Sequence, residues 1–89
     1  MMTAKQVRAA IQTKRETEIK ALREQAMEWC ESVAQEKLQE AIAQGSCAAY
    51  CVAPKTEVIE FIIPLLREAG FDYKVNEIDN TKLQVVLQW

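Results

Sequence analysis

The sequence predicts an α+β fold: a long N-terminal helix, then β-α-β-β, with a three-stranded sheet and helices packed on one face. Three observations carry this. Residues 3–44 contain neither Gly nor Pro. Gly45 and Gly70, the only two glycines, stand where helical patterns stop. Residues 71–89 fall into two runs that alternate apolar and polar side chains, the period of a half-buried strand.

The helix is the strongest local signal. Ala, Glu, Gln, Lys, Arg, Leu and Met dominate it, all good helix formers. Thr3 and Gln6 have capping-box spacing at its start, and Gly45 suits its end. Apolar residues recur at Ile19, Leu22, Ala26, Cys30, Val33, Ala34, Leu38, Ala41 and Ile42, one face of a 3.6-residue helix. Met27 and Trp29 flank that stripe. Glu16 and Lys20 stand four apart in the favourable order.

Length sets this helix apart. About 41 residues at 1.5 Å each give roughly 60 Å, whereas a compact chain of this size is only about 30 Å across. The remaining residues cannot cover it, so it either breaks or projects. The apolar stripe fades over residues 12–18, Gln-Thr-Lys-Arg-Glu-Thr-Glu, where a break is expected to fall. Val7, Ala10 and Ile11 form a small apolar patch ahead of it. The chain therefore reads as one domain, residues 1–89, with a helical arm at 1–18 and a compact body at 19–89.

Residues 47–52 (Cys-Ala-Ala-Tyr-Cys-Val) lie between Gly45 and Pro54 and read as a short strand of small residues. Thr56 is placed to cap a helix that Gly70 ends. Val58, Ile59, Ile62, Ile63, Leu65, Leu66 and Ala69 give that helix a wide apolar face. Pro64 lies inside it and is expected to kink or split it near Phe61. A strand over residues 57–62 is the rival reading; it leaves only one helical turn before Gly70. Phe71, Tyr73 and Val75, then Leu83, Val85, Leu87 and Trp89, mark one face of a hairpin that turns at Asp79-Asn80. Val86 makes the other face of the last strand partly apolar. That strand is expected at the centre of the sheet, in the order first, third, second, with Trp89 at least partly buried.

Charge and chemistry narrow the functional classes. Residues 1–23 carry six basic and two acidic side chains, and the remainder five basic and eleven acidic. Lys5, Arg8, Lys14 and Arg15 are the candidate nucleic-acid contacts of such a basic arm. Binding of nucleic acid is nevertheless the weaker reading: residues 1–23 hold no aromatic stacking platform, and no nucleic-acid-binding signature is present. The chain has no His, no Gly-rich phosphate loop and no Cys or Ser with a base partner, so no enzymatic activity is expected. Cys30, Cys47 and Cys51 match no zinc spacing, and Cys47 and Cys51 on one strand lie about 13 Å apart, too far to bridge. Neither cofactor nor metal nor disulfide is expected to be required. No apolar run reaches the ~18 residues of a membrane span, and residues 1–5 lack the apolar stretch of a secretion signal. The expected location is the cytoplasm.

Gly45, Leu66, Gly70, Phe71, Tyr73, Val75, Leu87 and Trp89 form a pattern: a helix ending in Gly, a short strand, a helix closing on Leu-x-x-x-Gly-aromatic, and a last strand ending in Trp. Over residues 34–89 this resembles a group of small proteins encoded by tailed phages and prophages. Pro64 departs from their pattern. The resemblance implies a virion-associated protein, hence the virion as an alternative location, and brings no catalytic residue with it.

The reading that follows is a non-catalytic structural or assembly protein, acting through self-association or a protein partner. Val7, Ile11, Ile19, Leu22 and Ala26 are the candidate self-association face, and a homo-oligomer without membrane contact is expected. The alternative is a small nucleic-acid-binding or regulatory protein that uses its basic helix.

Overall fold

A computed structural model describes all 89 residues. Its elements are α1 (Ala4–Trp29), a π-helical turn (Cys30–Ala34), α2 (Gln35–Gln44), β1 (Ala48–Pro54), α3 (Val58–Glu68), β2 (Asp72–Glu77) and β3 (Lys82–Gln88). The fold is the expected α+β arrangement.

The first three elements run on as one rod. Its start is the expected capping box: the Gln6 amide donates to Thr3 Oγ1 at 3.2 Å and the Thr3 amide to Gln6 Oε1 at 2.9 Å. Its end is a Schellman stop on Gly45, at φ 67°, with the Ser46 amide donating to the Ala41 carbonyl and the Gly45 amide to that of Ile42. No break falls at residues 12–18, which are α-helical throughout. Good helix formers carry the helix across that polar stretch without an apolar stripe. Glu16 accepts from Gln12 at 3.3 Å there and makes no ion pair with Lys20. The irregularity lies instead at the π turn, where the Gln35 amide donates to the Cys30 carbonyl.

That turn re-phases the buried face. At about 100° per residue, Leu22, Ala26 and Trp29 point one way, while Ala34, Leu38 and Ala41 on a regular helix point roughly 100° away. One extra residue in a π turn takes up that difference. Ala26, Trp29, Ala34 and Ala41 are all buried in one core, with Leu22 and Leu38 packed against it. Ile42, expected on the stripe, lies at the edge of the re-phased face and is 76% exposed.

The sheet is antiparallel in the order β1-β3-β2, with β3 central as expected. Ala49, Cys51, Ala53, Val85 and Leu87 form its covered face, against which Val58, Ile62 and Leu66 of α3 and the packed half of the rod lie. Both helices thus cover one face. Tyr50 and Val52 are exposed on the other, and Val86 is buried between Tyr50 and Lys74 of the neighbouring strands.

β1 runs two residues further than expected, through Pro54. Successive residues of a strand turn their amides to opposite edges. The Lys55 amide donates to Thr81 on the β3 side, so position 54 faces the outer edge, where proline's missing donor costs no ladder bond. On that same edge the Trp29 indole donates to the Val52 carbonyl at 2.9 Å. Trp29, expected to flank the stripe, is a core residue that closes off the sheet edge.

α3 begins at Val58, whose amide donates to Thr56 Oγ1 at 3.3 Å. It is continuous through Pro64, so the expected split near Phe61 and the rival strand over residues 57–62 are both set aside. The apolar face of α3 outweighs one lost backbone bond. It ends on Gly70, at φ 89°, with the Phe71 amide donating to the Leu66 carbonyl and the Gly70 amide to that of Arg67, a second Schellman stop. The β2–β3 turn is held by Asp79 Oδ1, which accepts from the Thr81 amide, the Thr81 hydroxyl and the Lys82 amide at 2.7–2.9 Å. Those bonds hold the Asp79 carboxyl below its usual range, the Thr81 bonds foremost.

The whole is 63 Å long and 26 × 18 Å across, with a Cα radius of gyration of 17.0 Å, against about 12 Å for a compact chain of this length. The excess is the rod.

Candidate interaction surface

Two features stand outside the core: the first turns of the rod and a groove beside its packed half. Residues 1–18 are exposed without exception. Val7 is 41% and Ile11 62% exposed. One helical turn apart, they share a face, and on a helix of about 100° per residue they point within roughly 60° of Leu22 and Trp29. The apolar face that binds the body therefore continues past the point where the body ends.

The candidate face divides there. Ala26 is fully buried in its own chain, Leu22 packs against the core and Ile19 is half-buried. Only Val7 and Ile11 present a free apolar surface. Of the basic candidates, Arg15 reaches Glu57 at 3.8 Å and Glu18 at 4.0 Å, which ties the arm to the start of α3. Lys5, Arg8 and Lys14 make no ion pair within the chain. On the helix these four spread over about 180°, so they form no single basic face.

The groove was not legible from one-dimensional spacing. It runs between the rod on one side and α3, Phe71 and Trp89 on the other, as three adjoining hollows. The first, about 420 Å³, is lined by Arg23, Met27, Glu60, Phe61, Pro64 and Leu65. The second, about 290 Å³, shares Met27 and Leu65 and adds Leu38 and Phe71. The third, about 330 Å³, shares Leu38 and Phe71 and ends on Ile42 and Trp89. Trp89, expected to be partly buried, is 53% exposed, its ring edge-on to Phe71 at 6.3 Å. It lies beyond the last paired rung of β3, so no strand covers it. Met27 and Ile42 are also largely exposed. Contiguous open apolar surface of this kind marks interaction sites.

The three cysteines do not converge on one site. Cys47 is exposed, Cys30 half-buried and Cys51 buried, all as free thiols. Burial pushes the Cys51 thiol up to about 11 and raises that of Cys30, to which Glu31 adds. No group of three or more metal-ligating side chains is brought together, and no buried side-chain polar atom is left without a partner. No helix is long and apolar enough to cross a membrane. Comparison with protein-family models, curated proteins and solved structures found no match.

Proposed function

We propose that this is a non-catalytic structural or assembly protein that works through self-association or a protein partner, using its projecting helix. One observation carries the reading: Val7 and Ile11 lie exposed on an arm with no body beside it, in phase with the face that packs the core. An isolated helix of this length is marginal in water, and an amphipathic helix laid on an apolar groove is a recurring mode of recognition. The resemblance to phage proteins suits such a role, and capsid or tail genes beside this one would support a virion setting.

The test is molecular mass by sedimentation over a wide concentration range. The wild-type chain is expected to form oligomers, and Val7→Lys with Ile11→Lys to lower the mass to that of a monomer of 10.1 kDa. A wild-type monomer at every concentration, retained on DNA in a salt-dependent way, would turn the assignment to nucleic-acid binding.

A further inference from the structure

We propose that two copies pair through their long helices, antiparallel, about a two-fold axis near Leu22 and Arg23, each basic arm lying along the acidic half of the partner's rod. This rests on the self-association reading above and specifies its geometry.

Charge along the rod argues for it first. Lys5, Arg8, Lys14, Arg15, Lys20 and Arg23 precede Glu24, Glu28, Glu31, Glu36 and Glu40, with Glu16, Glu18 and Lys37 the only exceptions. That order opposes the helix macrodipole, which favours acids at the start and bases at the end. The first turn of α1 has no acid and the last turn of α2 no base. The pattern therefore does not stabilise the helix itself. Nor is it neutralised within the chain: of those six bases only Arg15 makes an ion pair, and of those five acids only Glu40. A parallel pair sets like charge on like. An antiparallel pair sets the basic half of each rod on the acidic half of the other.

One axis matches opposite charges by their level along the two rods, without the bases sharing one face. Placed near Leu22 and Arg23, it brings Lys5 level with Glu40, Arg8 with Glu36, Lys14 with Glu31 and Lys20 with Glu24. Glu16 level with Glu28 and Arg8 level with Lys37 are like-charged rungs, and Arg23 lies beside its own copy near the axis.

Symmetry then places the apolar residues. A two-fold axis perpendicular to an antiparallel helix pair leaves both bodies on the same side of the pair. The face that each arm turns toward its own body's side is thus the face it offers to the partner's body. Val7 and Ile11 are on that face. At their level the partner presents the stretch of groove around Leu38 and Phe71. The arm is collinear with its own rod, so its own groove is out of reach and only a second copy can bring the two together.

The experiment uses two full-length charge-reversed variants, Lys5→Glu/Arg8→Glu/Lys14→Glu and Glu31→Lys/Glu36→Lys/Glu40→Lys. All six positions are exposed, and circular dichroism checks that each variant folds. Sedimentation at low salt is expected to show wild-type dimers, each variant alone self-associating about tenfold or more weakly, and an equimolar mixture recovering dimers. Wild-type dimers with variants that still dimerise alone, or a mixture that does not recover, overturn the antiparallel pairing and leave self-association standing. A wild-type monomer throughout overturns both.

Discussion

Residues 4–18 and 19–44 belong to one helical rod and draw on the same helix-forming residues, yet only the second half is buried anywhere. The first half shows what composition alone achieves: a capped, exposed helix tied to the body by the Arg15–Glu57 pair. The second shows what composition cannot supply, a face of small residues, Ala26, Ala34 and Ala41, on which a sheet and α3 close. Helicity in the arm is therefore propagated from the packed half, and its order depends on that half remaining folded.

The widest gap between the two halves is in stability. Leu87→Ala or Ile62→Ala, at fully buried positions, is expected to cost about 2–5 kcal/mol. Ile11→Ala on the arm is expected to change the stability of the monomer by no more than about 0.5 kcal/mol. Chemical denaturation at low concentration checks both, and comparable losses would erase the distinction. Trp29→Phe comes next. It keeps most of the ring but leaves the Val52 carbonyl without its indole donor, an expected loss of about 1–3 kcal/mol.

A smaller effect belongs to alkaline pH. Cys51 has its thiol raised to about 11 by burial, so the unfolded chain ionises it first. Its contribution is complete below the ordinary thiol range and is lost as pH rises toward 11, by about 1–2 kcal/mol. Stability measured against pH should fall there, and Cys51→Ala should flatten the fall. The smallest change concerns the π turn. Deleting the exposed Ser32 removes the extra residue and keeps both packed faces in phase, so stability should stay within about 1 kcal/mol of wild type. A loss as large as that of Leu87→Ala would mean that the turn itself supports the core.

The sequence made legible whatever depends on local chemistry. Thr3 with Gln6, Gly45, Gly70 and the alternation through β2 and β3 mark boundaries because each residue satisfies its own backbone. The Leu66, Gly70 and Phe71 spacing that carried the phage resemblance is the Schellman stop of α3. The π turn is not legible because Cys30, Val33 and Ala34 read as one wide stripe with Trp29 at its flank, although the adjacent pairs Trp29-Cys30 and Val33-Ala34 are also what two offset stripes leave. Trp29 was misplaced with it. Of the candidate face, Val7 and Ile11 are exposed, while Leu22 and Ala26 pack within their own chain. The groove did not show because Met27, Leu65 and Phe71 meet only after the chain has folded back.

The order in which the sheet is wired has a consequence for synthesis. β1 and β2 each pair only with β3, and β3 is the last of the three to be made. Until residues 82–88 leave the ribosome, a nascent chain holds two strands without partners. The body then closes in a single late step, through contacts that span much of the chain. During that interval, more than at any time after it, the unpaired strand edges of the growing polypeptide are exposed to aggregation.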